Sequence, residues 1–70
     1  MVKSIYPGTF DPVTRGHYDI VDRASKLFDE VSICVYSGSI KQVIFNVDER
    51  VDMIKEAVST LSNVNVIKFD

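Results

Sequence analysis

In seventy residues this chain has no tryptophan, one cysteine, two prolines and three glycines. A single thiol, Cys34, can close no internal disulfide and cannot supply a four-ligand zinc site, which excludes a disulfide-stapled scaffold and a zinc module. The expected setting is a reducing cytoplasm. No apolar run approaches the ~18 residues of a membrane span, and no leader-like apolar stretch follows Met1, so neither a spanning segment nor a signal peptide is expected. An excess of positive charge is missing as well. Eight basic against ten acidic side chains give a net charge of -2, so no global field draws the chain to nucleic acid or to an anionic membrane, and any phosphate contact has to be local. Hydrophobic residues make up 46% and charged residues 26%, a globular balance that excludes a disordered tail. At this length there is room for one small domain, which buries only about 60% of the surface of its unfolded chain.

The few turn formers divide the sequence regularly. Val2-Lys3-Ser4-Ile5-Tyr6 runs into Pro7-Gly8 and then Asp11-Pro12, which reads as a strand ending in a loop. From about Thr14 to Phe28, the residues Ile20, Val21, Ala24, Leu27 and Phe28 recur at helical spacing, predicting an amphipathic helix with Thr14 as its N-cap. Val31 to Tyr36 is short, β-branched and nearly all apolar, the pattern of a strand buried on both faces. Asn46 with Glu49 three residues on forms a capping box, and the stripe Val47, Val51, Ile54, Val58 and Leu61 predicts a second helix, with Arg50, Asp52, Lys55, Glu56 and Ser59 facing solvent. After a turn at Ser62-Asn63, Val64, Val66, Ile67 and Phe69 make a third strand. Strands alternating with helices of this length imply a three-stranded parallel sheet in the order 3-2-1, a β-α-β-α-β unit that is half of a doubly wound, Rossmann-like nucleotide-binding fold.

That architecture selects a site before any motif is read, because its ligands sit beyond the carboxyl ends of the strands. The loop from Pro7 to Gly16 is therefore the place for chemistry. Gly8, Gly16 and Gly38 are too far apart for GxGxxG, and no P-loop is present. What the loop offers is Gly8, to let a ligand approach the backbone, the Thr9 hydroxyl, and a helix start at Thr14-Arg15-Gly16-His17 whose free N–H groups suit phosphate. His17, the only histidine, has two readings. Its spacing to Ile20, Val21, Ala24 and Phe28 fits a packed core histidine satisfied by a backbone carbonyl, whereas its address in the first helical turn, after a glycine, fits a ligand contact.

The run Tyr6-Pro7-Gly8-Thr9-Phe10-Asp11-Pro12-Val13-Thr14-Arg15-Gly16-His17 resembles the signature of bacterial phosphopantetheine adenylyltransferases. The wider nucleotidyltransferase superfamily carries HxGH here, and threonine in the first position, Thr14, is the mark of this family. Similarity continues through Asp19-Ile20-Val21, Arg23-Ala24 and Phe28-Asp29, and resumes at Phe45 with Asp48-Glu49-Arg50-Val51.

The resemblance implies transfer of an adenylyl group from ATP to 4'-phosphopantetheine, giving dephospho-coenzyme A and pyrophosphate, with magnesium accompanying ATP. It implies that Thr9 orients the attacking phosphate, that His17 and Lys41 are catalytic at the α-phosphorus, that Lys41 also binds substrate, and that Thr9, Phe10 and His17 bind ATP through backbone and side-chain groups. No protein metal ligand is expected. Around Lys41 the sequence departs from the family, reading Gly38-Ser39-Ile40-Lys41-Gln42-Val43-Ile44-Phe45 where relatives usually carry two prolines and a second lysine. Asp11 before proline reads as a turn residue, and Arg15 as solvated. Family chains are roughly twice as long and assemble as hexamers, so residues 1–70 are expected to be the amino-terminal half of the domain, inactive alone. Other readings are another nucleotidyltransferase of the superfamily and a non-catalytic α/β interaction module.

Overall fold

A computed structural model describes residues 2–38 and 43–69. They form β1 (Lys3–Gly8), α1 (Arg15–Leu27), β2 (Glu30–Tyr36), α2 (Val47–Ala57) and β3 (Val64–Phe69). The three strands make one parallel sheet in the order β1-β2-β3, with Tyr6 opposite Ile33 and Ile33 opposite Val66. This is the expected α/β unit. β1 runs on to Gly8 instead of ending at Tyr6, because it is an edge strand among the described residues and an edge accommodates Pro7.

Alternate residues of β2 carry the core. Val31, Ile33 and Val35 are fully shielded and cluster with Val21 of α1, with Val51 and Ile54 of α2, and with Val58 and Phe10. Side chains from both helices meet the same row of β2, so both helices lie on one face of the sheet, as two successive right-handed crossovers in one direction require. The opposite face is open. Cys34 is shielded there by its flanking strands, but Ile5, Ile67 and Phe69 remain exposed. The expectation that β2 is buried on both faces therefore holds for one face only.

Both helix starts form as their sequences predict. Thr14 caps α1 and Asn46 caps α2, each in a reciprocal capping box with the residue three positions on. The stripe of α1 is narrower than predicted, since Ile20 is 54% and Leu27 78% exposed. These two lie one above the other, about 100° round the helix from Val21, on a flank that no described element covers. A second correction concerns Arg50, expected in solvent and in fact only 3% exposed. It stands three residues after Val47 and four before Ile54, on the inward stripe itself.

Candidate active site

The carboxyl ends of β1 and β2 arrive together, Gly8 beside Val35. Beyond them the chain turns through Phe10, which has a positive φ of 54°, a conformation that costs a bulky residue energy and persists only where the surroundings enforce it. The enforcement is visible in the packing. The Phe10 ring is almost fully buried, meets Tyr6 edge-on at 5.3 Å and His17 edge-on at 4.8 Å, and covers Gly8 so closely that a Cβ there would come within 2.9 Å of it. Gly8 thus has a packing reason to be glycine, the room it leaves for the Phe10 ring. Gly16 differs, because an added Cβ would meet only the Thr14 hydroxyl at 3.7 Å. No packing demands its missing side chain.

His17 occupies the third helical position, where a capping box usually has glutamate or glutamine. Its Nδ1 lies 2.9 Å from the Thr14 backbone nitrogen, and its own amide donates to the Thr14 hydroxyl at 3.3 Å. A backbone N–H can only donate, so Nδ1 accepts, and the neutral imidazole carries its proton on Nε2. The Thr14 hydroxyl lies 3.1 Å from Nδ1 as well. Among the described residues no backbone carbonyl takes the ring, so the core-histidine reading is not met there in its expected form. The half-buried ring is packed on one side by Phe10 and tilted toward Tyr6. Beside it the Arg15 and Gly16 amides, at the start of α1, have no acceptor among the described residues. A histidine Nε2–H and free helix N-terminal amides together form a donor array suited to phosphate oxygens.

Thr9 follows β1 directly. Its carbonyl accepts from Arg50 Nη1 at 2.9 Å, whereas its hydroxyl has no partner among the described residues. The Phe10 amide is likewise unpaired among them. Arg15 is exposed, as expected. Lys41 lies outside the described residues.

Two residues that tie the site together were not singled out by sequence. Arg50 donates through Nε to the Phe45 carbonyl at 3.1 Å and through Nη1 to the carbonyls of Thr9 and Tyr36, the latter at 3.0 Å. Its position on the apolar stripe was the available signal, outweighed by its charge. Asp11, read as a turn residue, accepts from the Ile44 amide and from the Phe45 amide at 2.8 Å. No local pattern foretells a contact across more than thirty residues. Among the described residues no group of carboxylates, histidines or cysteines could hold a metal. A concavity of about 420 Å³ near the end of α2 and the start of β3, lined by Lys55, Val58, Leu61 and Asn65, lies away from all of these groups.

A parallel unit with free N–H donors at the carboxyl ends of its strands resembles the arrangement of nucleotide-handling α/β proteins. The chain belongs to the cytidylyltransferase-like family, which its sequence matches over residues 5–70. It is 53% identical over 68 residues to the phosphopantetheine adenylyltransferase of Thioalkalivibrio sulfidiphilus, and 51% identical over 69 residues to that of Heliobacterium modesticaldum. These matches take in 97% and 99% of this chain but only 43% and 41% of the relatives, so the chain spans well under half their length. Among solved structures it is similar to the lipopolysaccharide core biosynthesis protein from Thermoplasma volcanium GSS1, with a TM-score of 0.78 and 28% identity, covering 100% of this chain and 59% of that one.

Proposed function

We propose that this chain carries the ATP-phosphate wall of an adenylyltransferase that joins ATP and 4'-phosphopantetheine into dephospho-coenzyme A and pyrophosphate. The observation that carries the reading is His17, whose Nδ1 is engaged by the Thr14 amide so that Nε2–H is left to donate beside the free N–H groups of α1. The relatives named phosphopantetheine adenylyltransferase support this substrate pair.

In this reading an oxygen of the phosphopantetheine phosphate attacks the α-phosphorus of ATP. A new P–O bond forms, the bond from the α-phosphorus to the bridging oxygen breaks, and pyrophosphate departs with the electron pair. The nucleophile is already an anion, so no general base and no covalent enzyme intermediate are needed, and positioning and charge stabilisation do the work. The His17 Nε2–H and the Arg15 and Gly16 amides donate to ATP phosphate oxygens. The Thr9 hydroxyl orients the attacking phosphate, the Phe10 amide contributes a backbone donor, and Lys41 bridges the two substrates. Magnesium would enter with ATP as MgATP and neutralise phosphate charge there. A cytoplasmic setting and hexameric assembly belong to the same reading.

A second reading, cytidylyl transfer from CTP, is favoured by the description of the family, while Thr14 and the relatives favour adenylyl. Titration of the isotopically labelled chain with MgATP and MgCTP, followed by amide resonances, tests both. Saturable shifts at Thr9, Phe10, Arg15, Gly16 and His17, stronger for ATP, are expected. A preference for CTP would transfer the conclusion to the second reading, and no response at those residues to either nucleotide would contradict both.

A further inference from the structure

Arg50 is costly in its place. It is 3% exposed, and none of the ion pairs formed among the described residues involves it. A guanidinium taken out of water without a carboxylate is less favourable than an apolar side chain of similar length, which would continue the stripe of Val47, Val51 and Ile54. Stability alone does not explain the residue. What an apolar side chain could not do is join three carbonyls from three stretches of chain: Thr9 after β1, Tyr36 at the end of β2, and Phe45 before α2.

One of these bonds has a directional consequence. The Thr9 carbonyl and the Phe10 N–H belong to the same planar peptide, and because that peptide is trans they point in opposite directions. Anchoring the carbonyl on Arg50 therefore aims the Phe10 N–H away from Arg50, toward no acceptor among the described residues. The same anchor holds Phe10 at its positive φ, with its ring against His17 at 4.8 Å. Asp11 ties the loop from the other side, its carboxylate accepting from the amides of Ile44 and Phe45. The β1–α1 loop thus lends Asp11 to the backbone just before α2, and α2 lends Arg50 to the backbone of that loop.

Resting on the phosphate-handling role of the β1–α1 loop, we propose that Arg50, with Asp11 as its counterpart, is a positioning residue that aims the Thr9–Phe10 peptide and sets the place of the His17 ring. Both act through the loops they hold.

The test compares the labelled chain with Arg50→Met, Arg50→Lys and Asp11→Asn, and with Ile54→Val as a control that loosens the core without touching the loops. All are studied well below their melting temperatures. In Arg50→Met the Phe10 amide and the His17 ring resonances should move while those of Val31 to Val35 stay, and MgATP affinity should fall about tenfold, the scale of one lost contact. Arg50→Lys should recover part of both, since an ammonium still reaches one or two carbonyls, and Asp11→Asn should move the same resonances. Ile54→Val should move neither readout. If Arg50→Met does not fold, Arg50→Lys and Asp11→Asn carry the same comparison. Unchanged Phe10 and His17 resonances together with unchanged affinity would overturn the proposal and leave Arg50 a structural residue. If the unsubstituted chain binds no MgATP, it is the phosphate-handling reading that fails, and the positioning proposal is then decided on the resonances alone.

Discussion

His17 serves the helix through Nδ1, and in the proposed function it serves a ligand through Nε2, two roles that substitution can separate. Glutamine at the same position can still accept the Thr14 amide in a capping box, but it has no imidazole to present to phosphate. His17→Gln should therefore melt within a degree or two of the parent, while His17→Ala, which leaves the Thr14 amide unpaired, should lose about 1 kcal/mol, or roughly 4–8 °C for a domain of this size. Thermal melts followed by circular dichroism check this, and an equal loss in both variants would show that the ring matters to folding through its bulk instead. At this scale the sequence was legible where chemistry is local. Thr14, Gly16 and His17 announce a helix start with donors to spare, because capping acts over three residues. That the Phe10 ring needs the space at Gly8 was not legible, since nothing in the spacing reveals that the chain turns there with a positive φ.

The elements themselves were readable from periodicity, with errors that have a common physical origin. Both N-caps and all three strands form close to their predicted places, since each is set by neighbours in the chain. What periodicity does not reveal is how much of each stripe finds something to pack against. On α1 the apolar identity of Ile20 and Leu27 suggested burial, yet both are exposed on a flank that no element among the described residues covers. On α2 the charge of Arg50 suggested exposure, yet the helix turns that position inward. The central weight rests on β2 and α2, where Ile33 and Ile54 are both fully enclosed. Ile54→Ala should therefore cost about 2–5 kcal/mol through lost burial and a residual cavity. Against a total stability of roughly 0.05–0.15 kcal/mol per residue, that is a large share, and chemical denaturation should find the variant largely unfolded or close to its midpoint in dilute buffer. A shift of the denaturation midpoint too small to measure would mean that α2 is not anchored through this side chain.

On the scale of the whole molecule, the sheet is covered on one side and bare on the other, with Ile5, Ile67 and Phe69 exposed on the bare face. The donors of the β1–α1 loop stand at one end of the sheet, and in the proposed reaction transition-state charge has to be met from several directions with water excluded. The proposed activity accordingly requires walls beyond those described for residues 2–69, which accords with a chain that spans 43% of the Thioalkalivibrio sulfidiphilus relative. The most direct measurement is pyrophosphate release, from ATP and 4'-phosphopantetheine, by a chimera in which this chain replaces the matching segment of that relative, compared with the same chimera carrying His17→Gln. The account predicts release that depends on both substrates and a turnover number lowered on the order of 100-fold to 1,000-fold by the substitution. It is contradicted by a cooperatively folded chimera that releases no pyrophosphate, or by a His17→Gln chimera that turns over as fast as its parent.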